Sequence, residues 1–255
     1  VTPLHLVKSL PTIYNNRKEE LQYLSTPLFQ DKNDFNDKRI ISISPGGWQG
    51  FYMFGITKFI KDHYDLHKYI FTGASAGAWN SLFLSYKHNS YDLYNTVINE
   101  VSSTKNIADV ELNLKKIILK NYNERDFFLE KTFLSVTSLK SYGIQTQIYY
   151  NFYSLEDALD CCIASSHIPF ITSHHLFNKY DGRITFDGGL SMNPYLDIHK
   201  PVLHITPQMW NRTDFRINEI KNHIQEIVHD GYIDTRKNRY TLDNIFSIPY
   251  DIKNT

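Results

Sequence analysis

At 255 residues the chain is long enough to bury a full core in one domain, and 42% hydrophobic with 21% charged residues excludes the disordered and fibrous classes. Lysine plus arginine and aspartate plus glutamate each number 27, so no net field draws nucleic acid or anionic membrane to the surface as a whole. The two cysteines, Cys161 and Cys162, are adjacent and poorly placed to staple distant segments, which predicts small buried residues in a reducing compartment rather than a disulfide scaffold.

Residues 1–38 are polar and read as an N-terminal arm of short helices packed on the outside of the domain. Val1 to Leu10 has no uninterrupted apolar stretch of the kind a secretory leader needs, and no run reaches the ~18 apolar residues that span a bilayer. Order begins at Arg39. Arg39–Ser44 is β-branched and reads as a strand, Pro45–Gly50 as a tight loop, and Phe51–Asp62 carries apolar residues at 51, 54, 56, 59 and 60, close to helical spacing. Lys68–Thr72 is strand-like and Ala76–Tyr86 reads as a buried helix. This β-loop-α-β-turn-α order predicts parallel strands with helical crossovers, hence an α/β sandwich. Residues 90–121 read as helical, and Lys131–Thr137 and Gln145–Tyr150 as further strands. Ser154 and Asp157 have the spacing of a helix start for Leu155–Ser165. Asp181-Gly182 is a hairpin turn that leads into Ile184–Phe186. Val202–Thr206 is a buried strand and Ile217–Val228 an amphipathic helix. Without an internal repeat or a second domain, residues 39–255 form one unit.

The chemistry centres on Gly73-Ala74-Ser75-Ala76-Gly77, a G-x-S-x-G pattern between a strand and a helix. A serine at the tip of such a turn holds a strained backbone, tolerated only if its neighbours have almost no side chain. Acyl transfer by serine also needs a base and donors aimed at the developing oxyanion. Pro45-Gly46-Gly47-Trp48-Gln49-Gly50, between the first strand and the first helix, is placed to aim backbone N–H groups. Its rivals are a phosphate loop and a plain βα turn; the Walker pattern fails for want of Gly-Lys-Ser/Thr, and the glycine spacing does not fit G-x-G-x-x-G. Asp187-Gly188-Gly189 supplies a carboxylate beside backbone freed by two glycines, against the ordinary reading of Asp-Gly as a turn.

Loop, elbow and Asp-Gly-Gly in this order resemble the patatin-like phospholipase family over roughly residues 39–207. The resemblance implies a three-layer α/β/α sandwich with a mostly parallel central sheet and a serine-aspartate dyad without a catalytic histidine. Ser75 and Asp187 are then the catalytic pair, and Gly46, Gly47 and Ala76 the oxyanion donors. Gly50, Gly73, Gly77, Gly188 and Gly189 support the motifs. Asn193-Pro194 is similar to the family's continuation after the aspartate, and Ala158–Pro169 to its small-residue helix ending in a proline turn. Two departures stand out. Pro45 replaces a common glycine and has no N–H, leaving Gly46 and Gly47 as donors, and Gln49 replaces a frequent Arg or Lys.

The function implied is a lipid acyl hydrolase acting on phospholipids, lysophospholipids or acylglycerols, with no cofactor, no metal and no nucleic acid. The expected location is cytoplasmic with peripheral membrane contact, for which Lys115–Lys120 is the one basic, partly apolar candidate. A protein activator is left open, as are head group and acyl position. Two rivals stay open beside it: a catalytically silent lipid-binding or interaction protein, and a conventional Ser-His-Asp esterase. For the latter His199, His204, His223 and His229 follow Asp187, though none sits in a recognisable catalytic loop and His204 lies inside an apolar strand. His167, His174 and His175 lack the spacing and acidic partners of a metal site.

Overall fold

The structure is a computed structural model that describes residues 39–140, 143–190, 200–212 and 223–246. The expected N-terminal arm, Asn193-Pro194 and His199 lie outside the described residues.

Chain order opens with β1 (Arg39–Ile43), α1 (Gly50–His63), β2 (Tyr69–Ala74), α2 (Ala76–Leu84), α3 (Ser90–Ser103) and α4 (Val110–Asn121). It continues with β3 (Thr132–Lys140), β4 (Gly143–Tyr149), α5 (Leu155–Ser165), β5 (Asn178–Tyr180), β6 (Arg183–Phe186), β7 (Leu203–Ile205), α6 (Ile224–Lys237) and α7 (Arg239–Phe246). The described residues form the expected α/β/α sandwich around a seven-stranded sheet of order β5-β6-β3-β2-β1-β7, with β4 also on β3. β7, β1, β2 and β3 run parallel, whereas β4 and β6 run antiparallel to β3.

The centre of the sheet is covered on both faces. β2 is buried at every position and β1 at all but its first, which is why their sequences run apolar without alternation. Ile41, Ile43 and Phe71 pack with Met53, Ile56 and Phe59 of α1, while Ile40, Ile70 and Phe133 form a smaller cluster apart from them. The largest cluster joins Trp79, Leu82 and Phe83 of α2 to α3, α4 and α5.

Register explains where the chemistry sits. Leu134 and Ser135 pair with both β2 and β4, and Thr137 and Ser138 with both β6 and β4. A strand has two edges, so β2 and β6 share the edge that β4 leaves. They approach each other head-on along it. β2 ends with Ala74 opposite Ser135, and β6, running the other way, ends with Phe186 opposite Thr137. The next residue of each, Ser75 and Asp187, comes level with Val136 between them.

Several elements differ from the sequence-based expectation. The helical stretch 90–121 is two helices, α3 and α4, separated by a bend and a short 3-10 turn at Ile107–Asp109. α6 runs to Lys237, well past the expected end at Val228, and α7 follows it. Gly231, inside the added length, faces α1, where a Cβ would drive into the Tyr52 carbonyl. Gly55 of α1 meets the Val228 carbonyl in the same way, so the two glycines let α1 and α6 approach closely.

Candidate active site

Ser75 sits between the last residue of β2 and the first of α2 with φ 56° and ψ −127°. This is a sparsely populated region for a residue with a Cβ, held at a cost of about 1–3 kcal/mol by its surroundings. Small neighbours make the turn possible, since a Cβ on Gly73 would strike the Gly77 carbonyl and one on Gly77 the Ile43 carbonyl of β1. The Ser75 N–H donates to Ser165 Oγ at 2.8 Å, and Ser165 Oγ donates onward to the Ser135 carbonyl at 2.6 Å. The C-terminal end of α5 thus pins the elbow to β3.

The Ser75 hydroxyl donates to Asp187 Oδ2 at 2.6 Å. Asp187 is itself fixed: its Oδ1 accepts from the Gly189 N–H at 2.7 Å, and its own N–H donates to the His167 carbonyl at 2.9 Å. Gly188 lies against the Ser135 carbonyl, and Gly189 against the Pro45 ring, where a Cβ would come within 2.7 Å of Cγ. The Asp-Gly-Gly turn therefore packs on β3 and on the glycine loop together. Burial raises the Asp187 carboxyl above its ordinary value, opposed by the hydrogen bonds from Ser75 and Gly189.

The glycine loop reaches the same point from the end of β1. Gly47 has φ 51° with open space where a Cβ would stand, so its demand is conformational, while a Cβ on Gly46 would come within 2.8 Å of Met53 Cε. Gly50 opens α1 and would place a Cβ on that of Ala76, which opens α2. Two helix N-termini, with their positive dipole ends, therefore converge beside Ser75. The amides of Gly46, Gly47 and Ala76 donate to no described residue.

Ser75 opens on a cavity of about 160 Å³ whose wall is mostly apolar, including Trp48, Phe51, Phe54, Trp79, Phe83 and Leu114. Inside it stands Glu111 of α4. Burial pushes this carboxyl well above the carboxylate range, with the Asp187 charge acting in the same direction and the polar side chains of Ser166 and Trp79 beside it opposing the shift. Trp79 Nε1 donates to Ser166 Oγ at 3.1 Å, and Ser166 Oγ donates to the Cys162 carbonyl at 2.8 Å.

The sequence-expected residues Ser75, Asp187, Gly46, Gly47 and Ala76 are thus brought together, and Gly50, Gly73, Gly77, Gly188 and Gly189 lie at their contacts. Ser165, the His167 carbonyl and Glu111 were not expected. Ser165 lies within the small-residue stretch Ala158–Pro169, where only the fold shows which hydroxyl reaches the elbow. His204 is half-buried on β7 with its imidazole pKa lowered by burial, His223 meets Glu226 at 2.8 Å, and His229 is exposed on α6. None of these three hydrogen-bonds to Ser75 or Asp187. His174 meets Asp109 at 3.0 Å, and no metal-holding cluster occurs among the described residues. Cys161 and Cys162 are buried free thiols in α5, pushed up by burial.

No curated protein sequence matches the chain. Among solved structures it is similar to VipD from Legionella pneumophila, with 13% identity and a TM-score of 0.34 over 74% of this chain and 53% of that one. The chain thus spans about half the length of that protein. The family model described as patatin-like phospholipase matches residues 41–198, which take in the glycine loop, the elbow and the Asp-Gly-Gly turn, and the chain belongs to the patatin-like phospholipase family.

Proposed function

We propose that this protein is a lipid acyl hydrolase in which Ser75 is the nucleophile and Asp187 the base, with phospholipids or lysophospholipids as substrates and acylglycerols next. The observation that carries the reading is the 2.6 Å hydrogen bond from Ser75 Oγ to Asp187 Oδ2 at the mouth of an apolar cavity. As Ser75 Oγ attacks the ester carbonyl carbon, its proton passes to Asp187. The carbonyl oxygen becomes an oxyanion facing the amides of Gly46, Gly47 and Ala76, with the N-termini of α1 and α2 behind them. Collapse expels the alcohol, which takes the proton back from Asp187. Water, activated by the same carboxylate, then releases the fatty acid from Ser75. The acyl chain lies against Trp48, Phe51 and Phe83, which offer area without charge.

The aspartate needs no imidazole in this scheme, since burial already raises its affinity for a proton. The rival triad finds no support in His204, His223 or His229, and the silent-scaffold rival finds none in a site with both reactive groups in contact. Action on bilayer lipids through peripheral contact belongs to the same reading, and no helix among the described residues is long and apolar enough to cross a membrane. A cytoplasmic location belongs to the same reading and is supported by two buried, unbridged cysteines.

The test is product analysis by mass spectrometry after incubation with a mixed lipid extract. Wild type releases free fatty acid, and Ser75→Ala releases none above background; equal release by both proteins removes Ser75 from the mechanism.

A further inference from the structure

In the basic segment Lys115–Lys120 that the sequence offered for membrane contact, Lys116 and Lys120 are exposed and Lys115 is held within the fold. Lys115 of α4 is paired with Glu156 at 2.9 Å and Asp160 at 2.7 Å, Ile118 is buried in the core, and Leu114 lines the cavity. A different surface lies at the site itself. The connection from α5 to β5 holds Phe170 at 71% exposure, with Ile171, Leu176 and Phe177 each about half exposed, and Leu190 half exposed just after Asp187.

The connection is built to hold these side chains outward. Ile171 N–H and Thr172 N–H both donate to the Ile168 carbonyl at 3.1 Å, Thr172 Oγ1 donates to the Ser166 carbonyl at 2.8 Å, and Ile168 N–H donates to Thr172 Oγ1 at 2.9 Å. At the tip Phe170 has φ 60°, an unfavourable conformation for a bulky residue, and its ring is left in solvent. A fold that strains the backbone to expose a phenyl ring is organised around something other than its own core.

What meets that ring is indicated by position. Ile168, Ile171 and Thr172 of this connection line the cavity below Ser75, and its start is tied to the catalytic turn through the His167 carbonyl. The exposed apolar surface is therefore continuous with the wall of the acyl site. From Ser165 to Tyr180 there is no acidic residue, so nothing in the segment repels a phosphate-bearing surface. We propose that the segment 168–177, led by Phe170, Leu176 and Phe177, is the membrane-docking surface, inserting into the acyl region of a phospholipid bilayer so that a lipid tail passes from bilayer to cavity along Ile171 and Ile168. The proposal rests on the lipid acyl hydrolase reading for its purpose but not for its detection.

The experiment uses the full chain with Ser75→Ala, which leaves vesicles intact, and phosphatidylcholine vesicles in flotation. The single variant floats with the vesicles. Adding Phe170→Asp, Leu176→Asp and Phe177→Asp weakens the partition at least tenfold; aspartate is chosen because it tolerates the backbone at 170. With Ser75 restored, the triple variant keeps hydrolysis of a soluble short-chain ester within about twofold and loses at least tenfold on vesicles. Phe170→Trp on the Ser75→Ala background provides a reading that needs no destabilising change. Its added emission is quenched by brominated lipid acyl chains if the tip inserts. Unchanged flotation of the triple variant, no flotation of the parent, or unquenched indole emission from Phe170→Trp overturns the proposal, as does a concentration-dependent dimer that only the three aspartates dissociate. Should Ser75-bearing protein hydrolyse neither soluble esters nor lipids while flotation responds as stated, the docking surface stands and the hydrolase reading falls.

Discussion

The backbone of Ser75, at φ 56°, and its hydrogen bond to Asp187 compete for stability in a way that substitutions can separate. Ser75→Ala and Ser75→Gly both remove the proposed nucleophile, so neither is expected to retain ester hydrolysis. Only glycine relieves the strain. Offsetting a strain of about 1–3 kcal/mol against the roughly 0.5–1 kcal/mol of chain entropy that glycine adds, Ser75→Gly melts above Ser75→Ala, and the reverse order would mean that the elbow is unstrained. The carboxyls of Asp187 and Glu111 give pH dependences of known sign. As the proposed base, Asp187 must be ionised to act and is raised by burial, so kcat/KM is expected to fall as pH drops through a value above the ordinary carboxylate pKa. Glu111 holds its proton in the fold to higher pH than in the unfolded chain, which releases it in the usual range. The unfolded chain then binds fewer protons, and stability declines as pH rises above that range. Glu111→Gln removes this dependence, and its melting temperature gains on wild type as pH rises above the ordinary carboxylate range. A gap that stays constant as pH rises would show that the fold leaves Glu111 unshifted.

The glycines of the site divide by what surrounds them. A Cβ at Gly77 runs into the Ile43 carbonyl of β1, so Gly77→Ala forces β1 and α2 apart and costs about 1–3 kcal/mol or more. At Gly47 nothing stands in the way and only φ 51° resists, so Gly47→Ala loses about 1–2 kcal/mol, remains folded, and lowers kcat far more than it raises KM if that amide meets the oxyanion. Thermal melting and steady-state kinetics on the same two proteins check both statements. The elements around these glycines were the most legible in the sequence. β1, α1, β2 and α2 follow one another as apolar runs broken by glycine, and each residue pattern admits one element. α6 was not legible to its end, because the residues after Val228 owe their helix to packing on α1, where Gly231 meets the Tyr52 carbonyl. The reversal of β4 and β6 against β3 was equally hidden: strand direction is a property of partners, and neither Gln145–Tyr150 nor Ile184–Phe186 names its partner.

Across the whole molecule, the residues of the proposed site come from five segments whose meeting is dictated by the sheet. β2 delivers Ser75 and β6 delivers Asp187 to the same level of β3, β1 delivers the glycine loop, α5 delivers Ser165, and α4 delivers Glu111. The sequence named the first three through their glycines, which mark where backbones must touch. Ser165 and Glu111 carry no such mark, since a serine among small residues and a glutamate at a helix start are ordinary on any surface. The central claim is that Ser75, activated by Asp187 alone, is the reacting group, and the most direct measurement is intact-protein and peptide mass spectrometry after exposure to a fluorophosphonate probe. A serine–aspartate pair gives a single adduct on Ser75 in wild type, labelling slowed about 10²-fold or more in Asp187→Asn, and labelling within about tenfold of wild type in folded His204→Ala, His223→Ala and His229→Ala. An unlabelled wild type, an adduct on another residue, or a folded histidine variant as inert as Ser75→Ala would contradict it.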